Sequence, residues 1–377
     1  MTRHGMAPHR IAIQTDGRLV QGNERQIELI ARGLIARGHT VYISARPRSP
    51  AWELFADTGA VMSDARPRGT ADLLSALRFR RWLRHVRPDA LLFTSWRRLW
   101  VGGLVARSAG VPNTVMRVGG RHDIPHGLRG AHYRHALQSL VDRIYVNSTA
   151  VRDHLLSALP GLAAARVHII WNGIPAGSAE LAPVRAELAI PQGAPLVAAV
   201  GGLARRKGFD ILIRALAAAD VNAHVVICGD GGERDALSKL ARDEGLAGRV
   251  HLVGQRDDVS GILAAADAFV LSSRMEGFSV ALLEAMRAAL PIIATDVEGV
   301  RDALCDEAGH ERAGWIVPPD DVAALAGTLR DVLGSLGSPA TRSRAAEARR
   351  RATHDYTVDR MVEGVERVLL SAPPLDR

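Results

Sequence analysis

Twice along this chain a short buried apolar run ends in a loop, an amphipathic helix pattern follows, and another apolar run begins. In the first half Ile11-Ala12-Ile13 reads as a strand, with a loop over residues 14–22. A helix follows, with Ile27, Ile30, Leu34 and Ile35 at helical spacing, Asn23 as its expected cap and Gly38 at its end. Val41–Ser44 is the next strand. Strand, crossover helix and strand in that order require parallel pairing, which confines the chain to α/β architectures. Ala90–Phe93, Asn113–Val118 and Arg143–Asn147 continue the series. The pattern restarts at Pro195–Val200, followed by His224–Cys228, Val250–Val253, Ala268–Leu271 and Ile292–Thr295.

The restart implies two domains, as does the length of 377 residues, since a single core stops growing well below that size. Gly173, Pro175, Gly177, Pro183, Pro191 and Gly193 crowd the junction. The expected boundaries are an N-terminal Rossmann-like domain over 1–175, a linker over 176–193, a C-terminal Rossmann-like domain over 194–355, and a final segment over 356–377. Doubly wound domains bind ligands beyond the carboxyl ends of their strands, here expected to face a central cleft.

Composition narrows the setting. Cys228 and Cys305 stand far apart without metal or disulfide spacing, and read as small buried hydrophobes in a reducing compartment. No early apolar run suggests a leader, and no run of about eighteen apolar residues suggests a membrane span. A cytoplasmic protein is expected, peripheral on the inner face of the cytoplasmic membrane if its basic surface docks there. The net charge is +8, and of 48 basic residues only Lys207 and Lys239 are lysines.

The basic excess has one focus. Arg78, Arg80, Arg81, Arg84 and Arg87 interleave with Leu74, Leu77, Trp82 and Val86, and Arg97 and Arg98 follow between Trp96 and Trp100. This is a candidate docking face for an anionic membrane; the competing reading is a solvated face in an arginine-rich chain. No nucleic-acid reading motif accompanies it, so no nucleic-acid partner is expected.

The chemistry is expected where loops leave strand ends. Glu276 follows the strand ending at Leu271, Gly277 permits a tight turn, and a helix starting near Ser279 carries Glu284 on its second turn. Free N–H groups of Ser279 and Val280 would form an anion site. On spacing alone, Glu276 as a cap and Glu284 as a solvated helix residue are equally tenable. Lys207 follows Gly201-Gly202 at a strand end, where a cation can meet an anionic ligand. A solvated loop cation is the alternative.

Glu276 to Glu284 resembles the E-x7-E pattern of retaining glycosyltransferases of family 4, which have the GT-B fold. Gly201 to Gly208, Gly229-Asp230-Gly231-Gly232, Val253-Gly254-Gln255-Arg256, Glu284-Ala285-Met286 and Gly314 to Pro318 are similar to that family's motifs and fall in its order. The resemblance implies retaining, metal-independent transfer of a sugar from a nucleotide diphosphate donor to an acceptor hydroxyl of a glycan or lipid-linked acceptor. It implies a setting in envelope polysaccharide or lipopolysaccharide synthesis. No cofactor and no metal are implied, the nucleotide sugar being a co-substrate.

By the same resemblance, Glu276, His122 and Lys207 are the catalytic candidates. Gly22, Arg205, Arg206, Lys207, Gly254, Gln255, Glu276, Gly277, Phe278, Ser279, Val280 and Glu284 are the donor-binding candidates. Arg121, Asp123 and His126 neighbour His122. Three positions depart from the family pattern. Gly202 stands where an arginine is usual, so Arg205 or Arg206 is expected to compensate; Ala289 replaces a glycine, and Asp302 a glutamate. Two rival functions remain open: a sugar-nucleotide epimerase of the same fold, and an inactive nucleotide-sugar-binding or membrane-docking module.

Overall fold

The computed structural model describes residues 7–69, 72–121, 127–177 and 181–371, and the chain divides into two compact units. The first comprises the residues up to Gly173 together with those from Val358 onward; the second runs from Ile174 to Thr357.

The first unit is built on a seven-stranded parallel sheet: β1 (Arg10–Gln14), β2 (Thr40–Ser44), β3 (Val61–Ser63), β4 (Ala90–Phe93), β5 (Asn113–Val118), β6 (Arg143–Val146) and β7 (Val167–Ile169). Their spatial order is β3-β2-β1-β4-β5-β6-β7. Alternation along β1 sends Ile11 and Ile13 to one core and Ala12 to the other, so both faces of the sheet are covered. The Gly22–Ala36 helix lies on the Ile11 side with the C-terminal helix Val358–Leu370, whose Met361, Val362, Val365 and Leu369 are buried there.

The opening of the first helix differs from the sequence reading. The cap is Gln21, closed by a capping box with Glu24, rather than Asn23. Gly22 is therefore the first helical residue instead of a loop glycine, and its φ is not positive.

The second unit repeats the plan with six parallel strands: β8 (Leu196–Val200), β9 (His224–Cys228), β10 (Val250–Gly254), β11 (Ala268–Leu271), β12 (Ile292–Thr295) and β13 (Trp315–Val317), in the order β10-β9-β8-β11-β12-β13. Within the stretch read as a linker, Val184 and Ile190 are buried in this unit's core. Each sheet changes winding direction once, between β1 and β4 and between β8 and β11. The strand ends at such a reversal are where doubly wound folds hold ligands.

Candidate active site

The loops that leave β8 and β11 press backbone against backbone. Gly208, at φ +62°, lies so close to the Ser272 carbonyl that a side chain there would collide with it. Gly229 meets the Gly201 carbonyl in the same way at φ +143°. This contact brings together two residues 69 positions apart: Lys207 Nζ lies 2.5 Å from Glu276 Oε1, with the two side chains 10% and 8% exposed. The Ser273 hydroxyl donates to the same oxygen at 2.7 Å. Glu276 Oε2 faces Arg206 Nη1 at 3.9 Å. The Glu276 N–H donates to the Glu298 carboxylate at 3.3 Å.

A second tier fixes the loop that carries Lys207. Arg274 donates to both Asp210 oxygens at 2.8 Å and to the Arg205 carbonyl at 2.7 Å. Burial alone would raise the pKa of Asp210, but these bonds outweigh it and hold the carboxyl below its usual range. The Ser272 hydroxyl donates to the Lys207 carbonyl at 3.1 Å. Thr295 Oγ1 reaches from β12 to the Ser273 carbonyl at 2.5 Å.

Behind Glu276 the helix Val280–Arg287 begins. Ser279 is its cap and accepts from the Leu282 N–H at 3.3 Å, so the hydroxyl is engaged within the helix. The Phe278 ring is buried against Tyr356, which leaves only its main chain to meet a ligand. Glu284 lies on the second helical turn, half-buried. Gly254 ends β10 at φ +75° and its carbonyl accepts from Gly229, while Gln255 beyond it is exposed.

Lys207, Glu276 and Arg206 are thus in one cluster, and Gly277 to Glu284 continue from it along the chain. Arg205 is exposed, and its main chain rather than its side chain takes part. Of the two arginines that could stand in for Gly202, Arg206 is the one beside Glu276. Space beside Gly202 is open, the closest neighbour of an added Cβ being the Asp230 carbonyl at 3.6 Å. Gly22 belongs to the first unit, and His122, Asp123 and His126 lie outside the described residues. Sequence reasoning missed Ser273, Arg274, Asp210 and Glu298. The Ser272-Ser273 pair directly after a buried strand was the available signal. A cavity of about 640 Å³ beside Pro183, Arg185, Ala194 and Asp267 lies toward the opposite strand ends and contains none of these residues.

Residues 20–177 match the family model for Glycosyltransferase Family 4, and residues 182–351 match that for glycosyl transferases group 1. Each half of the chain thus matches a glycosyltransferase family model, and the fold is the GT-B architecture of two Rossmann-like domains. The chain is 43% identical over 115 residues to the lipopolysaccharide core biosynthesis glycosyltransferase LpsE of Rhizobium meliloti, covering 30% of this chain and 34% of that protein. It is 33% identical over 190 residues to LpsD of the same organism, covering 48% of this chain and 53% of the relative. These matches thus span between a third and just over half of each relative's length. Among solved structures, a glycosyltransferase from Rickettsia africae superposes with a TM-score of 0.86 at 16% identity, over 97% of this chain and 100% of that one. Anabaena Alr3699/HepE in complex with UDP-glucose gives 0.82 at 21%, over 96% and 100%.

Proposed function

We propose that this protein transfers a sugar, with retention of configuration, from a nucleoside diphosphate donor to an acceptor hydroxyl during assembly of an envelope glycan such as lipopolysaccharide core. The observation that carries the reading is the Lys207–Glu276 pair, held by the loops after β8 and β11 beside the start of the Val280–Arg287 helix.

A departing diphosphate gains negative charge, and a preorganised cation stabilises that charge most where water is excluded. Lys207 is nearly buried and supplies such a cation, with Arg206 at the rim. We assign Glu276 to positioning rather than nucleophilic attack, because one of its oxygens already accepts from both Lys207 and Ser273. Front-face attack by the acceptor, assisted by the leaving phosphate, needs no protein nucleophile. Glu284 is the proposed acceptor of ribose hydroxyls, and main-chain groups of Gly254 and Gln255 the proposed contacts to the base. Lys207 and Arg206 neutralise the diphosphate in this mechanism, so turnover is metal-independent.

We further assign the protein a peripheral site on an anionic membrane, through the arginine-rich helix Leu73–Val86. Among the described residues no helix is long and apolar enough to cross a membrane.

A thermal-shift panel of nucleotide sugars tests the donor reading, since a true donor raises the melting temperature by mass action. The Anabaena relative was crystallised with UDP-glucose, which puts UDP-sugars first in that panel. No shift with any nucleotide sugar would remove the proposal. Loss of turnover on chelation with EDTA, restored by magnesium or manganese, would replace Lys207 with a metal as the neutralising charge.

A further inference from the structure

The winding reversal of the first unit lies between β1 and β4, and the residues collected beyond those strand ends have an unusual charge balance. Asp16 follows β1, Arg46 follows β2, Arg66 and Arg68 follow β3, and Arg98 lies in the short turn after β4. Asp16 is a carboxylate shared between two guanidinium groups: its Oδ1 is 3.2 Å from Arg66 Nη1 and its Oδ2 3.8 Å from Arg98 Nε. Of the other acids nearby along the chain, Asp64 pairs with Arg78, and Glu24, whose carboxylate lies against Gly17, accepts from the Gln21 N–H and Asn23 Nδ2.

Arg66 is buried, and burial together with the like charges of Arg46 and Arg68 lowers its pKa against the pull of Asp16. A cation in that position is costly unless an anion joins it, and a single carboxylate leaves the cluster positive. Arg98 is 28% exposed on its side chain, and its Nε, 3.8 Å from Asp16 Oδ2, is beyond hydrogen-bond reach, so both of these buried atoms are without a hydrogen-bond partner.

A second observation is independent of charge. Gln14 ends β1, is fully buried, and neither of its amide atoms has a hydrogen-bond partner. Native interiors satisfy such groups, and an orphaned amide marks a place where a polar guest or water belongs.

We propose that this cluster is an acceptor subsite that recognises an anionic group, phosphate or carboxylate, on the sugar being extended. Arg98 supplies the outer donors, Arg66 the buried charge, and Asp16 holds both guanidinium groups in place while the site is empty. A neutral acceptor would leave the excess charge uncompensated, so the site selects for acidic glycans. The inference rests on the reading of this protein as a glycosyltransferase.

Saturation-transfer NMR on the full chain tests it with three probes: mannose 6-phosphate, galacturonic acid and mannose. The acidic sugars should give signal and mannose none; whichever acid binds identifies phosphate, carboxylate or both as the group recognised. Arg66→Gln and Arg98→Gln should each weaken the acidic probes about tenfold, in line with loss of a charge-assisted contact, while Lys207→Ala leaves them unchanged. Arg98 is at the surface side of the cluster, so its variant keeps the test valid if Arg66→Gln melts early. Equal signal from mannose, no signal from any probe, or binding lost in Lys207→Ala but retained in Arg98→Gln would overturn the proposal. The donor reading fails separately: if no nucleotide sugar stabilises the protein while mannose 6-phosphate still binds through Arg98, the anion site stands and the transfer reaction falls.

Discussion

Lys207 Nζ lies 2.5 Å from Glu276 Oε1, so the cation that would meet the donor diphosphate is neutralised by the carboxylate expected beside the donor sugar. The pair is nearly buried, and removing either partner strands the other as an uncompensated charge. Glu276 is thus coupled to stability as well as to chemistry, and replacing it tests more than a sugar contact.

Without donor, Glu276→Ala and Lys207→Ala should each lower unfolding free energy by about 3 kcal/mol, the usual cost of breaking a buried pair. The double variant should lose less than the sum, with a coupling of about 1–3 kcal/mol. Urea denaturation of the four proteins measures this. Additive losses would show that the pair is not formed in solution.

Rates separate the arginines. Lys207→Ala should cost on the order of 100- to 1,000-fold in turnover, as removal of one preorganised donor does. Arg206→Ala should cost about tenfold, because its guanidinium is exposed and 3.9 Å from Glu276 rather than in close contact. Arg205→Ala should be almost silent, since the carbonyl that receives Arg274 survives the change. The reverse order for Arg205 and Arg206 would move the compensating charge to Arg205.

Much of this was legible in the sequence. Ala90–Phe93, Asn113–Val118, His224–Cys228, Ala268–Leu271 and Ile292–Thr295 were read with both ends correct, because central parallel strands are mostly apolar runs, even though Asn113, Thr114 and Arg117 interrupt one of them. β3, β7 and β13 were missed: all are three-residue edge strands, partly exposed, with no run long enough to register. Spacing found Glu276 and Lys207 separately, but nothing in it could join residues 69 apart. Glu298 was missed for a related reason, since it lies in a turn without periodicity and acts through the Glu276 backbone.

Ala289 occupies a position built for glycine. The Leu290 N–H donates to the Ala285 carbonyl and the Ala289 N–H to the Met286 carbonyl, the paired bonds that close a helix through a left-handed residue. Ala289 holds φ +57° there. Ala289→Gly should relieve that strain and stabilise the protein by about 0.5–1 kcal/mol after glycine's greater chain entropy is offset. The melting temperature should rise by about 2 °C. A fall would mean that the methyl group contributes packing that outweighs the strain.

The C-terminal helix Val358–Leu370 is tied to the first unit by ionic contacts that acid should loosen. Glu366 accepts from His39 Nε2 at 2.8 Å and from Arg37 Nη1 at 2.6 Å, while His39 Nδ1 accepts from the His9 N–H. Burial alone would raise the pKa of Glu366, but the bonds from His39 and Arg37 hold it below the ordinary glutamate range. A folded-state pKa below the unfolded one gives stability that is complete above the unfolded value of about 4.3 and is lost as pH falls through the lowered one. Glu366→Gln should therefore lower the urea midpoint at pH 7 and narrow its difference from the parent at acid pH. A constant difference across pH would show that ionisation of Glu366 contributes nothing.

The helix Leu73–Val86 gives membrane docking a definite geometry. Leu73, Leu74 and Leu77 are 74%, 76% and 52% exposed, and Arg78, Arg81 and Arg84 continue the exposed face over the following turns. No carboxylate interrupts the helix, though Asp64 from outside it pairs with Arg78. Leucines at one end can enter the acyl boundary while the arginines meet anionic headgroups, each cation contributing about 1 kcal/mol near the surface. Replacing Arg78, Arg81 and Arg84 together with Gln should weaken binding to vesicles rich in phosphatidylglycerol by about 100-fold. Leu74→Ser should weaken it at every salt concentration, because its contribution is not screened. Binding of the parent should fall steeply with salt, as exposed charges are screened over about 8 Å at physiological ionic strength. Vesicle co-sedimentation measures all three, and equal binding to neutral and anionic vesicles would leave this helix as an ordinary solvated face.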